Sequence, residues 1–146
     1  MSAANPKPAV LLADDDPSVR SSLAQVLEQE GYRVVAVANG IEALETVAEQ
    51  PVDIVLLDLN MPEKNGWDTY ERLTTENPLL PIIIITARPN QVFTALAAGV
   101  EALLEKPLDI PELLSVIDEA LHESPDARLA RRSGKQGVFR YSPTHA

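Results

Sequence analysis

Short, unbroken aliphatic runs alternate with amphipathic segments along most of the chain, and this alternation limits the possible folds more than any other feature. The segments between the runs carry apolar residues at helical spacing. A strand that is apolar at consecutive positions is buried on both faces, which is typical of a parallel sheet covered by helices. We therefore predict an α/β fold, a doubly wound five-stranded parallel sheet with helices on both faces, over residues 8–122. The predicted strands are Pro8–Ala13, Arg33–Ala38, Asp53–Leu57, Pro81–Ile85 and Ala102–Leu104.

Capping residues mark where the predicted helices begin and end. Asp16 followed by Pro17 is typical of an N-cap and the first helical turn. Asp109 and Glu112 form a capping-box pattern at the start of the last helix. Gly31 can end the first helix. Each helix is thus bounded by polar loops that begin at the ends of strands.

Composition removes several classes of function. The 146 residues suit one domain, and the longest apolar stretch, Leu79 to Ala87, is interrupted by Pro81, whereas a membrane span needs ~20 residues. The chain contains no cysteine, which excludes disulfides, thiolate metal sites and cysteine nucleophiles. Neither of the two histidines stands at a strand end, so a zinc site is not expected. We expect a cytoplasmic protein without a membrane partner.

Charge divides the chain into two parts. Residues 1–121 hold seven Lys/Arg and 20 Asp/Glu, for a net charge of −13, whereas residues 122–146 have a net charge of +3. An acidic body repels a phosphate backbone, so we expect no direct DNA binding. Residues 123–146 are expected to form a basic, mobile C-terminal tail. Its basic residues could form a partner-binding arm, fold against the acidic body or stay solvated; they are Arg128, Arg131, Arg132, Lys135 and Arg140.

Polar side chains follow the predicted strands at the edge where such a sheet binds ligands. Asp14 and Asp15 follow the first strand, Asp58 the third, Thr86 the fourth, and Lys106 comes soon after the fifth. Clustered carboxylates repel one another unless a cation lies between them, and oxygen ligands without His or Cys favour Mg²⁺ or Mn²⁺. A hydroxyl and an ammonium beside the metal suit a phosphoryl group, and a carboxylate can be its nucleophile.

These strand ends carry four motifs, which are Asp14-Asp15-Asp16-Pro17, Asp58-Leu59-Asn60-Met61-Pro62 with Gly66, Thr86-Ala87, and Lys106-Pro107. Together they resemble the receiver domain of two-component response regulators, in particular the chemotaxis-type single-domain receiver. The resemblance covers residues 8–122 and implies the flavodoxin-like strand order 2-1-3-4-5. It also implies a protein that catalyses only its own phosphorylation and dephosphorylation.

The resemblance implies a phosphoacceptor and a metal site. Asp58 would accept a phosphoryl group from a histidine kinase or a histidine phosphotransfer protein. Asp15, Asp58 and the backbone carbonyl of Asn60 would bind Mg²⁺ (or Mn²⁺) directly, with Asp14 acting largely through bound water. Asp16 is interpreted as a helix cap rather than a ligand.

The resemblance also implies which residues respond to phosphorylation of Asp58. Thr86 would hydrogen-bond the phosphoryl oxygens and move toward them, Lys106 would pair with them, and the bond to Pro107 would be cis. Receivers usually carry Tyr or Phe three residues before this lysine, as a switch coupled to the threonine, and Leu103 stands there instead. The stretch from Thr86 to Lys106 is also shorter than is usual. We therefore expect an intact phosphotransfer site and an atypical output face, with an unidentified downstream protein partner.

Two alternatives stay open at this stage. One is a degenerate receiver that acts as a scaffold without phosphorylation, which the leucine at position 103 favours. The other is a metal-dependent phosphatase of the haloacid-dehalogenase class, which also uses an aspartate nucleophile. That class needs a second acid two residues after the nucleophile, and Asn60 stands there.

Overall fold

The computed structural model describes residues 7–60, 66–88, 90–133 and 139–143. Strands and helices alternate strictly from the first strand to the fifth helix, as the sequence pattern predicts. No helix in these ranges is both long enough and apolar enough to span a membrane. The elements are β1 (Ala9–Ala13), α1 (Pro17–Gln29), β2 (Arg33–Val37), α2 (Gly40–Glu49), β3 (Ile54–Asp58), α3 (Gly66–Glu76), β4 (Ile82–Thr86), α4 (Val92–Ala98), β5 (Ala102–Glu105), α5 (Ile110–His122), α6 (Pro125–Arg132) and β6 (Arg140–Ser142).

The sheet is parallel throughout and has the order β2-β1-β3-β4-β5-β6. Its first five members confirm the predicted doubly wound arrangement, and β6 is a sixth strand that the sequence analysis did not predict. Every residue of β1, β3 and β4 is buried, because helices cover both faces of the sheet. The central strands therefore need the continuous aliphatic runs seen in the sequence.

Two hydrophobic cores lie on opposite faces of the sheet. Alternate residues of each central strand enter different cores: Leu11 and Val55 one, Leu12 and Ile54 the other. Burial of a side chain of this size contributes about 1.5–3 kcal/mol to folding. The first core packs against α2, α3 and α4, and the second against α1 and α5; the helix residues that contribute to them are Ala43, Tyr70, Leu73 and Ala95, and Leu23, Leu27, Leu113 and Ile117.

Helix caps fix the loops at the carboxyl end of the sheet. The Asp16 carboxylate accepts hydrogen bonds from the backbone N–H groups of Ser18 and Val19, at 2.9 and 3.3 Å, so it caps α1. Gly66 begins α3 against the loop that follows β3, and a Cβ there would lie 2.5 Å from the Cα of Leu59. Only glycine allows this close approach without a shift of the backbone.

Part of the C-terminal segment, for which a basic, mobile tail is predicted, packs against the acidic body, one of the alternatives that the sequence left open. Residues 125–132 form α6, and Arg128 and Arg131 are 7% and 5% exposed. Arg131 donates hydrogen bonds to the carboxylates of Glu101 and Glu123, both at 2.6 Å. Glu101 lies 30 positions before Arg131, so the local sequence pattern does not identify it as the partner. Lys135 lies outside the described residues.

Candidate functional site

Two central strands end in carboxylates that lie side by side. Asp14 directly follows β1 and Asp58 is the last residue of β3, and the register pairs Ala13 with Leu57, one position earlier in each strand. Both are buried, with exposures of 0% and 1%. Asp15 is exposed at the rim. One carboxylate oxygen from each of the three aspartates lies within 4.8 Å of the others.

Backbone groups hold the two buried carboxylates in place. The Asn60 N–H donates to Asp58 Oδ1 at 2.9 Å, and the Asp16 N–H donates to Asp14 Oδ1 at 3.0 Å. Arg20 Nη1 donates to the backbone carbonyl of Asp14 at 2.7 Å, which ties α1 to the end of β1. Each carboxylate thus has one oxygen engaged by a nearby loop, and the second oxygen faces the site.

Lys106 joins these second oxygens. Its Nζ lies 2.9 Å from Asp14 Oδ2 and 3.1 Å from Asp58 Oδ2. It follows β5, so the ammonium reaches the site from the far side of β4. The Lys106–Pro107 peptide bond is cis. The lysine is the cation that partly compensates two buried negative charges.

The environment shifts the ionisation of both partners. Burial raises the pKa of the Asp58 carboxyl, against the lowering effect of the Asn60 hydrogen bond and the Lys106 charge, and the charge of Asp14 raises it further. Burial lowers the pKa of the Lys106 ammonium, but its hydrogen bond to Asp14 and the charges of both aspartates outweigh burial, and the net effect is a raised pKa. Lys106 therefore stays protonated across the neutral range.

Thr86 and Arg88 lie at the end of β4, the strand between β3 and β5. Thr86 is the last residue of β4 and is fully buried, and its Oγ1 accepts a hydrogen bond from the Arg88 N–H at 2.9 Å. The hydroxyl keeps its own proton for donation to another oxygen. Arg88 Nε donates to Asn60 Oδ1 at 3.1 Å, which links the loops after β3 and β4. The sequence analysis missed Arg88, although its position two residues beyond Thr86 at the same sheet edge could have indicated it.

The donor set of this site fits a divalent cation. Three carboxylates and one ammonium leave a net negative charge, and all the anionic donors are oxygen atoms. Hard oxygen donors are those that Mg²⁺ and Mn²⁺ prefer, and a cation would relieve the repulsion between Asp14 and Asp58. The backbone N–H of Asn60 donates to Asp58 Oδ1. Ligation of the metal by the backbone carbonyl of Asn60 stays a prediction. Met61 and Pro62 of the sequence motif lie outside the described residues.

Leu103 does not lie among these polar groups. It is fully buried in the core on the α2, α3 and α4 face, and it pairs in register with Ile84. Its environment is that of a packing residue in the middle of β5. Whether the side chain at position 103 changes conformation on phosphorylation stays a prediction.

The sequence of this chain matches known proteins over the part that builds the site. The family model described as the response regulator receiver domain matches residues 10–118. Transcriptional regulatory protein GlrR of Escherichia coli is 39% identical over 125 residues, which are 83% of this chain and 28% of that protein. Response regulator MprA of a Mycobacterium species is 37% identical over 120 residues, 80% of this chain and 52% of that protein. The chain thus spans about half or less of the length of these relatives.

Two solved structures share the fold over 79% and 77% of this chain. A CheY-like response regulator receiver domain protein from Methanospirillum hungatei has a TM-score of 0.75 and 29% identity, over 79% of this chain and 94% of that one. Response regulator protein TrrA from Thermotoga maritima, solved in complex with Mg²⁺ and BeF, has a TM-score of 0.73 and 26% identity, over 77% of this chain and 98% of that one.

Proposed function

The chain belongs to the response regulator receiver domain family, and from this premise we propose that Asp58 accepts a phosphoryl group from a histidine kinase or a histidine phosphotransfer protein. The observation that supports this most is the position of Asp58 itself. It is buried beside Lys106, with Asp14 and Asp15 near enough to share a cation. A carboxylate in this setting is held in place at the sheet edge, beside a cation that opposes the effect of burial on its pKa.

The proposed step exchanges one bond to phosphorus for another. A carboxylate oxygen of Asp58 forms the new P–O bond as the P–N bond of the phosphohistidine breaks. The bonding electrons stay on the imidazole nitrogen, and the ring leaves as neutral imidazole because its other nitrogen already carries a proton. Such transfers have a loose transition state, so the protein contributes mainly positioning and charge neutralisation.

Three residues would hold the metal, and two others would hold the phosphoryl group. Asp15, Asp58 and the Asn60 carbonyl would ligate Mg²⁺ or Mn²⁺, with Asp14 acting largely through bound water. The bound cation would neutralise charge on the transferred group. On the side away from the metal, the Lys106 ammonium would donate a hydrogen bond to an equatorial oxygen of the phosphoryl group. This bond would replace part of its pairing with Asp58. Thr86 donates its hydroxyl proton to a second oxygen.

The output would be a protein-binding face with two conformations. Movement of Thr86 toward the phosphoryl oxygens would shift the equilibrium between them. Thr86 lies at the end of β4 and pairs in register with Glu105, the residue before Lys106. The two residues proposed to contact the phosphoryl group, Thr86 and Lys106, thus lie at or just after the ends of neighbouring strands. A signal that acts on both would reach the loops after β4 and β5 together.

Intact mass after incubation with Mg²⁺ and acetyl phosphate tests the proposal. We expect one phosphoryl adduct, which disappears when the metal is chelated and in Asp58→Asn. The matched control is Asp68→Asn, an exposed aspartate on α3 that should keep the adduct. Persistence of the adduct in Asp58→Asn would show that Asp58 is not the acceptor.

A scaffold that works without phosphorylation is the second candidate. The observation that favours it is Leu103, a packed core residue where receivers usually carry an aromatic switch. This candidate predicts that Asp58→Asn leaves partner binding and biological output unchanged. The phosphoacceptor proposal predicts that the same substitution makes partner binding independent of the phosphodonor.

A further inference from the structure

The side chain of Arg20 reaches back from α1 to the loop that carries two of the three clustered aspartates. Its backbone N–H donates to the Asp16 carbonyl at 2.9 Å and closes the first turn of the helix. Long side chains on a helix lean toward its N-terminus, which brings the guanidinium to the loop between β1 and α1. There Nη1 of the half-buried arginine donates to the Asp14 carbonyl at 2.7 Å. A side-chain contact thus joins the helix to the end of the strand.

Asp15 has no comparable contact of its own. It is exposed, and in the described part of the chain no group donates a hydrogen bond to its carboxylate. Its neighbours are both fixed, because the Asp14 N–H donates to the Val37 carbonyl at 3.1 Å and Asp16 caps α1. The direction of the Asp15 side chain therefore depends on the backbone on either side of it.

The hydrogen bond from Arg20 acts on this backbone. The carbonyl of Asp14 and the N–H of Asp15 belong to one planar peptide unit, which has no soft torsion within it. A donor that fixes the carbonyl also fixes the plane of the unit, and with it the bond that leads to the Asp15 Cα. Arg20 thus restrains Asp15 without contact to its carboxylate.

The charge of Arg20 does not occupy the carboxylates of the site. Among the described residues it forms no ion pair, whereas Lys106 Nζ lies 2.9 Å from Asp14 Oδ2 and 3.1 Å from Asp58 Oδ2. A guanidinium near a divalent cation repels it, so charge alone would make this arginine unfavourable for metal binding. The charge and the hydrogen bond of Arg20 therefore have opposite expected effects on metal affinity.

We propose that Arg20 is a positioning residue of the metal site, which holds Asp15 in place through the Asp14 carbonyl and so raises the affinity of the site for Mg²⁺ or Mn²⁺. Groups that orient metal ligands without binding the metal typically change the affinity about 10–100-fold. The inference rests on the metal ligands of the proposed function, but it needs no transfer of a phosphoryl group to Asp58.

Calorimetric titration of the full chain with Mn²⁺, and separately with Mg²⁺, measures this affinity. Arg20→Met keeps an unbranched stem without the guanidinium, and the dissociation constant should rise about tenfold or more. The matched control is Arg33→Met, because Arg33 also donates to a backbone carbonyl, that of Pro51 at 3.4 Å, but at the amino end of the sheet. Its dissociation constant should stay at the unsubstituted value. An unchanged or a lower dissociation constant in Arg20→Met would overturn the proposal, since loss of the charge alone lowers it.

Backbone dynamics of the metal-free chain supply the second measurement. The ¹⁵N order parameter of the Asp15 amide should fall in Arg20→Met and stay unchanged in Arg33→Met. Weaker metal binding with an unchanged order parameter would also overturn the proposal, because Arg20 would then act otherwise than by holding Asp15. Absence of metal binding by the unsubstituted chain would overturn this inference together with the proposed metal site, whereas metal binding without a phosphoryl adduct would overturn only the proposed transfer.

Discussion

Lys106 Nζ lies 3.1 Å from Asp58 Oδ2, although the two residues are 48 positions apart in the sequence. The contact exists because β3 and β5 flank β4 in a parallel sheet, so their carboxyl ends open onto the same edge. The same ammonium lies 2.9 Å from Asp14 Oδ2. The ends of the first, third and fifth strands are therefore connected through one cation.

Replacing this cation should slow phosphorylation while leaving the acceptor in place. In Lys106→Met the phosphoryl oxygens lose a charged donor, and removing one charged contact of this kind costs on the order of 10²-fold in rate. The rate of adduct formation with acetyl phosphate and Mg²⁺ measures the effect. Lys7→Met, an exposed lysine outside the site, is the control. Equal rates in both variants would remove Lys106 from the proposed chemistry.

Arg88 should govern how long the phosphoryl group survives. Its side chain donates a hydrogen bond to Asn60 Oδ1 at 3.1 Å, two residues beyond Asp58. Arg88→Ala should leave the site more open to water and shorten the lifetime of the adduct several-fold after the donor is removed. Intact mass against time follows the decay, and Arg72→Ala on the exposed face of α3 serves as reference. An unchanged lifetime of the adduct would show that Arg88 only links the two loops and does not protect the phosphoryl group from water.

Stability should fall in alkaline solution because of Tyr70. Burial raises the pKa of the Tyr70 phenol to about 12, although the Arg132 guanidinium acts to lower it. A raised pKa means that the folded state favours the neutral phenol, so this contribution is intact below about pH 10 and is lost as the pH rises toward 12. The free energy of unfolding, measured by urea denaturation, should decline between pH 9 and 12. The decline should be smaller in Tyr70→Phe. A decline of the same size in Tyr70→Phe would assign it to other groups.

The ion pairs that Arg131 of α6 forms with Glu101 and Glu123 should contribute strongly to the free energy of unfolding. Arg131→Ala removes the closest cation from the buried carboxylate of Glu101 and the partly buried carboxylate of Glu123. These carboxylates keep only longer ion pairs, at 3.6 Å to Arg128 and, for Glu101, at 3.4 Å to Arg132. Removing one member of a buried ion pair costs about 3–5 kcal/mol. The exposed Arg72–Glu76 pair is the comparison, and Arg72→Ala should cost less than about 0.5 kcal/mol. Urea denaturation measures both, and similar small losses would show that α6 is only loosely attached.

The sheet and its functional edge were predictable because both follow from local patterns. A run such as Ile82–Ile85 cannot be half-exposed, so it must be covered on both faces, and this fixes a parallel sheet. A parallel sheet in turn brings residues that follow its strands, Asp14 and Asp58 among them, to one edge. Their adjacency depends also on the strand order, which the resemblance to receiver domains implied.

The C-terminal segment was not predictable in the same way, because its partners are distant in the sequence. Arg131 pairs with Glu101, 30 positions earlier, and the three residues of β6 have no strand pattern of their own. One local signal was available for α6. Ser124 accepts a hydrogen bond from the Ala127 N–H, and Pro125 follows it, which is a typical helix start. The Arg88–Asn60 bridge likewise depends on how two loops meet.

Chemical trapping of the acyl phosphate tests the central claim most directly. Borohydride reduces an aspartyl phosphate to homoserine, and peptide mapping of the treated protein locates the reduced residue. After incubation with Mg²⁺ and acetyl phosphate, we predict homoserine at position 58 and at no other aspartate, and none when the metal is chelated. Homoserine at Asp14 or Asp15, or an unreduced position 58 in protein that carries the adduct, would contradict the account.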